Sequence, residues 1–328
     1  MKGFNICLKI PEQQRLQLYK QYHNFHNPIE QTELDFSKLD PNIIELDFSN
    51  VNYNYPLDNI PPQIVSLILS QDYNYPLDNL HCNLKQLLLA YNYNQPLDYL
   101  PINLEILRVG SYYTQDLYNL PKSLKTLILN NIPHINLDLP NLTTLYLNFN
   151  NDKNLENIEN TDNFSNQVNN LNKTLKELVL SSNIFSTRYI NMNILENFNV
   201  LEHLNIGNYK HRIEKFPPNL KHLILDSYCH VLDNLPDTIE ILEIGYECYL
   251  DLNYLPKNLK ILDMGENIEC NILVNYPESL EELKIIETHP QKNELDLIYK
   301  NFKITMIIDY DAREEHYEYM KSIYKYNR

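Results

Sequence analysis

The chain has 328 residues, a formal net charge of −16 and only five glycines. No two of those glycines stand close enough for a G-x-G-x-x-G or G-x-x-x-x-G-K-[ST] loop, which excludes the commonest nucleotide-binding folds. An acidic chain without a Lys/Arg run presents an unfavourable field to nucleic acid, and no apolar run is long enough for a membrane-spanning helix, so neither partner is expected.

Residues 1–40 read as an N-terminal helix and cap. Met1 to Pro11 has a broken apolar run and no small-residue cleavage site, so no signal peptide is expected. Glu12 to His26 reads as one helix. Thr32 to Phe36 contains Glu33-Leu34-Asp35-Phe36, which echoes Glu45-Leu46-Asp47-Phe48, and is predicted as a first strand. The five cysteines, at 7, 82, 229, 248 and 270, are odd in number and scattered, unlike a disulfide framework. A reducing, cytoplasmic setting is the expectation.

From residue 41 onward one phrase recurs: proline, two residues, an aliphatic, two residues, an aliphatic, one residue, an aliphatic. Pro101-x-x-Leu104-x-x-Leu107-x-Val109 and Pro121-x-x-Leu124-x-x-Leu127-x-Leu129 are the clearest copies. The first aliphatics are Ile43, Ile64, Leu84, Leu104, Leu124, Leu142, Leu175, Leu201, Leu220, Ile239, Leu259 and Leu280. A unit of roughly 20 residues cannot bury its own apolar face, so the units must stack and share one core. The predicted class is a repeat solenoid, leucine-rich-repeat-like, with a parallel sheet on the concave face and a mostly irregular or 3-10 convex side. Its extent is 41–290, with insertions near 148–172 and 181–200. About ten residues remain for the return path, too few for a long helix at ~1.5 Å per residue.

The second half of the unit reads Tyr53-Asn54-Tyr55-Pro56-Leu57-Asp58-Asn59-Ile60-Pro61. It returns as Tyr73-Asn74-Tyr75-Pro76-Leu77-Asp78-Asn79-Leu80 and as Tyr93-Asn94-Gln95-Pro96-Leu97-Asp98-Tyr99-Leu100-Pro101. Together with the aliphatic phrase, this resembles the FNIP-repeat family, a short leucine-rich-repeat variant of social amoebae and giant viruses, over about residues 41–286. The resemblance implies an interaction-type solenoid and no particular activity. Here Tyr stands where the family often has Phe.

The chain closes with 291–328, read as a strand at Ile304 to Ile308 and a Tyr-rich capping helix from Asp311 to Tyr326. Solenoid ends expose core and need such caps.

Candidate chemistry is thin. No H-E-x-x-H motif and no convergent nucleophile set exists, so no catalytic residue, cofactor or metal is expected, and the chain reads as a non-enzyme. Cys229 and Cys248 each lie four residues after a third aliphatic, the offset at which Tyr73, Tyr93 and Tyr113 stand. That places them in an inward slot as small core residues. His203 and His222 precede the second aliphatics of their units and should stack on the exposed sheet face. A metal pair there lacks ligands: the neighbouring slots hold Glu177 and Ile241. The recurring Leu-Asp at Asp58, Asp78, Asp98, Asp138, Asp233 and Asp251 is expected to cap its own turn.

The residue between the second and third aliphatic points out of the concave sheet. Ile68, Leu88, Arg108, Ile128, Tyr146 and Val179 form a largely apolar run there, which an exposed face would reserve for a protein partner. The expected function is therefore non-catalytic protein–protein binding through that strip. The alternatives are a self-assembling structural protein, or the recognition subunit of a ubiquitin-ligase-type complex.

Overall fold

The computed structural model describes residues 33–130, 135–148, 166–171, 173–181, 192–207, 209, 212–225, 228, 230–245, 252–265, 271–272, 274–298 and 301–307. Thirteen short strands form one parallel sheet in strict chain order. They are β1 (Glu45–Asp47), β2 (Ser66–Ile68), β3 (Gln86–Leu88), β4 (Ile106–Val109), β5 (Thr126–Leu129), β6 (Thr144–Asn148), β7 (Glu177–Ser181), β8 (His203–Asn205), β9 (His222–Leu225), β10 (Ile241–Ile244), β11 (Ile261–Asp263), β12 (Glu282–Ile286) and β13 (Lys303–Ile307). Each of the first twelve falls on one aliphatic triplet. The second aliphatics stack directly, Leu67 on Leu87, Leu87 on Leu107 and Leu107 on Leu127. Both insertions leave this register untouched, since Leu145 pairs with Leu178 and Leu178 with Leu204.

Two tight turns make each rung. The carbonyl of the phrase's proline accepts the N–H of the first aliphatic, as in Pro61 to Ile64 at 3.0 Å and Pro101 to Leu104 at 3.0 Å. Proline suits the first position of such a turn, where only its carbonyl is used. Past the strand a second turn closes on the aromatic, with Tyr73 N–H on Ser70 O and Tyr93 N–H on Ala90 O. At Gly110 an added Cβ would lie 2.0 Å from Ala90 O. Glycine there lets one rung settle against the last.

The triplets fill the core. Leu67, Leu87, Leu107, Leu127 and Leu145 are wholly buried. Tyr73, Tyr93 and Tyr113 stack behind them with ring centroids 6.4 and 6.5 Å apart and nearly parallel planes. A further ladder of polar side chains sews neighbouring rungs together. The residue just before the first aliphatic bonds a backbone carbonyl one rung back: Asn83 to Pro62, Asn103 to Cys82, Asn141 to Lys122 and Asn219 to Asn199. Ser123 and Ser279 do the same with hydroxyls.

The expected first strand at 32–36 is not formed by its described part. Glu33 to Asp35 is not strand, and Phe36–Lys38 is a 3-10 turn. The Asp35 carboxylate accepts the Ser37 N–H at 3.1 Å, a local bond that favours turning over extension. The insertions return apolar groups to the core. Val168 and Leu171 plug it at the end of the first, and Leu195, within the 3-10 segment Met192–Asn197, and Phe198, just past it, at the end of the second. A short helix the aliphatic pattern does not announce, α1 (Lys292–Ile298), adds buried Leu295 between β12 and β13. The predicted helices at 12–26 and 311–326, together with Cys7, Cys229, Cys248, Cys270 and Asp251, lie outside the described residues.

Candidate interaction surface

A strand turns successive side chains to opposite faces. Leu67 and Leu69 therefore enter the main core while Ile68, between them, does not. The row continues in register: Ile68 beside Leu88, Leu88 beside Arg108, Arg108 beside Ile128, Ile128 beside Tyr146 and Tyr146 beside Val179. The structure thus brings all six sequence-selected residues into one line on the sheet face turned away from the core. Ile128, Tyr146 and Val179 form an apolar cluster of their own, separate from the core cluster.

Their exposure differs from the expectation. The six are only 2–6% accessible, so the strip is not an open apolar surface. The half-exposed groups beside the strip are the first residues of each strand, Ser66, Gln86, Ile106, Thr126 and Thr144.

Beyond Tyr146 the face becomes polar and titratable. The Tyr146 hydroxyl donates to Glu177 Oε1 at 2.6 Å. His203 and His222 lie on adjacent strands with ring centroids 5.6 Å apart, edge to face, as their shared offset requires. His222 Nε2 is 2.7 Å from Glu243 Oε1. Inspection of the directly adjoining slots alone misses Glu243, which sits diagonally on β10. Diagonal neighbours on a sheet are within reach of long side chains. Burial holds the His203 pKa below its ordinary value, and the neighbouring His222 charge pushes the same way. Among the described residues no group of three or more His, Cys, Asp or Glu is set to hold a metal ion.

One edge of the sheet carries a column of alternating charge: Lys85, Glu105, Lys125, then Lys176, Glu202, Lys221, Glu240, Lys260 and Glu281. Glu105 bridges Lys85 at 3.2 Å and Lys125 at 2.6 Å, Glu202 meets Lys221 at 2.9 Å, and Glu240 meets Lys260 at 2.6 Å. Alternation turns what would be like-charge repulsion between rungs into attraction.

Asp58, Asp98 and Asp233 bond a neighbouring rung rather than capping their own turns. Asp58 accepts from Asn79 and Asp98 from Asn119, each one rung on and at 3.1 Å, while Asp233 holds Arg212 at 3.1 Å. A carboxylate one rung below an amide finds a donor with nothing between them. Tyr228, three residues after the third aliphatic Leu225, is fully buried, and its hydroxyl accepts the Ile213 N–H at 2.8 Å. Attention to the aliphatic triplets also passes over three exposed residues, Tyr99, Ile102 and Tyr118. Their signal is a departure from the chain's own columns.

A parallel sheet in chain order, short turns on the return path and a single stacked core define a leucine-rich-repeat-like β-solenoid built from short units. Residues 93–132 match the family model of the FNIP Repeat. The fold is similar to the crystal structure of CroV588, a circular LRR protein of a giant virus, with a TM-score of 0.53 and 21% sequence identity. That likeness covers 84% of this chain, which spans 44% of the CroV588 chain. Comparison with curated proteins gives no match. No helix among the described residues is long and apolar enough to cross a membrane.

Proposed function

We propose that this solenoid is a non-catalytic module that binds another protein across the sheet face turned away from the core. The observation that carries this reading is the separate apolar cluster of Ile128, Tyr146 and Val179 on that face, continuous with Ile68, Leu88 and Arg108. A solenoid needs one apolar spine to fold, and that need is met on the other side of the sheet. The strip acts as a dry, rigid floor. The half-exposed row from Ser66 to Thr144 and the polar stretch around His203, His222 and Glu243 supply the contacts above it. A rigid floor loses little conformational freedom on association, which favours affinity.

The test follows from the exposures. Leu88→Glu or Ile128→Glu would bury a carboxylate and unfold the rung, so the informative change is Ile106→Glu, at a half-exposed position beside the strip. Tagged wild-type and variant chains are used for capture from the native cell with cross-linking and mass spectrometry. Loss of cross-links to the sheet face with an unchanged melting temperature is expected. Capture that survives with the same cross-links removes this face from consideration.

A further inference from the structure

Three neighbouring positions break the repeat's own pattern. The column holding Asn59, Asn79 and Asn119 has Tyr99; the column of Asp58, Asp78 and Asp98 has Tyr118; the column of Pro62, Cys82 and Lys122 has Ile102. Tyr99 is 70%, Ile102 74% and Tyr118 54% exposed. Tyr99 and Ile102 stand three residues apart in successive turns at one corner of the rung. The Asp98–Asn119 bond sets Tyr118 beside that corner on the next rung.

The substitutions give something up. Where the column keeps its asparagine, an Asp–Asn bond ties two rungs, as for Asp58 with Asn79. Tyr99 takes that asparagine away from exposed Asp78 and places a ring in water. Such a change does nothing for the isolated chain, and tyrosine is among the residues that dominate binding energy at interfaces. Departures from local consistency without a gain in the fold mark functional positions.

The surroundings select the partner's chemistry. Asp98 directly precedes Tyr99, Asp78 stands before the same column one rung back, Asp116 stands two residues before Tyr118, and Lys122, one rung on in the Ile102 column, is engaged by Asp138. A second copy of a chain carrying −16 would be repelled. We propose that Tyr99, Ile102 and Tyr118 dock a protein segment that presents Arg or Lys among aliphatic residues. The tyrosine rings take the cation on their faces, the aspartates pair with it, and Ile102 meets the flanking aliphatics. This site lies off the sheet face and stands whether or not that face binds anything.

The probes are three fluorescein-labelled peptides: one alternating Arg and Leu, one with Gln replacing each Arg, and one with Glu replacing each Arg. They are titrated against wild type and against the triple variant Tyr99→Asn/Ile102→Lys/Tyr118→Asp. The replacements are the chain's own column residues and leave net charge unchanged, so folding and non-specific attraction are preserved. The Arg–Leu peptide is expected to bind wild type about tenfold more tightly than the variant, with the Gln peptide weaker and the Glu peptide weakest. Equal binding to wild type and variant overturns the proposal. So does wild-type self-association, seen by sedimentation across a concentration series, that the variant abolishes, because a second copy would then be the occupant. The Ile106→Glu chain should bind the peptide as wild type does. Loss of binding there with retention in the triple variant also overturns it.

Discussion

The Glu243 carboxylate lies 2.7 Å from His222 Nε2, and the His222 ring in turn meets the His203 ring edge to face at 5.6 Å. Three consecutive rungs therefore share one electrostatic neighbourhood, with Glu177 and Glu202 also acting on His203 and Lys221 opposing them.

This arrangement fixes a pH dependence. Burial, and then the His222 charge, lower the His203 pKa below 6.5. The folded chain therefore holds that proton less tightly than the unfolded chain. Above about pH 6.5 His203 is neutral in both states and has no effect; as pH falls from there through its lower folded value, stability is withdrawn. His203→Gln should flatten the decline of Tm between about pH 7 and pH 5. His222→Gln should raise the His203 midpoint followed by NMR, since it removes a repelling charge. An unmoved midpoint would show that the two rings do not communicate.

Two buried tyrosines give opposite results. The Tyr93 hydroxyl is buried without a hydrogen-bond partner among the described residues, and burial drives its pKa far upward. Tyr93→Phe removes an unmet polar group and should stabilise the chain by about 1 kcal/mol in urea unfolding. Tyr228→Phe instead strands the Ile213 N–H that its hydroxyl accepts at 2.8 Å, and should cost about 1–3 kcal/mol. Equal effects of the two substitutions would refute the distinction.

The architecture was legible because it is carried by period alone. Leu104, Leu107 and Val109 recur one rung on as Leu124, Leu127 and Leu129, and the sheet pairs them as the spacing requires. What depended on an offset across the irregular return path was less secure: the buried aromatic stands four residues after the third aliphatic at Tyr93 and three after it at Tyr228. Exposure was the weakest inference. Alternation says which face Ile128 occupies, but its neighbours' packing decides whether water reaches it. The His222–Glu243 contact was hidden for a related reason, since it joins different columns.

The rung-to-rung ladder before each strand can be tested with the chain's own vocabulary. Asn103 Nδ2 donates to Cys82 O at 3.0 Å, and Ser123 performs that task one rung later. Asn103→Ala should cost about 0.5–1.5 kcal/mol in a urea melt, and Asn103→Ser should recover most of it. A serine variant no better than alanine would mean that the amide's size, rather than its hydrogen bond, matters there.

Gly110 offers the sharpest steric case. A methyl group there would lie 2.0 Å from Ala90 O and 2.9 Å from Tyr91 O, both backbone atoms. Neither can rotate away, so Gly110→Ala must lift the fourth rung off the third. That movement strains the Tyr112 N–H to Tyr91 O bond of 3.2 Å and the Tyr93–Tyr113 stack. Overpacking of this kind costs about 1–3 kcal/mol, which should appear as a lower urea midpoint with near-normal far-UV circular dichroism. The Ser70 and Ala90 corners tolerate a Cβ in the same column, so Ala90→Gly is the matched control. It should lose the backbone-entropy increment of about 0.5–1 kcal/mol and about 0.8 kcal/mol for the buried methyl, without moving the rungs apart. If Gly110→Ala proved no worse than that control, the close approach of the two rungs would not be a requirement of the fold.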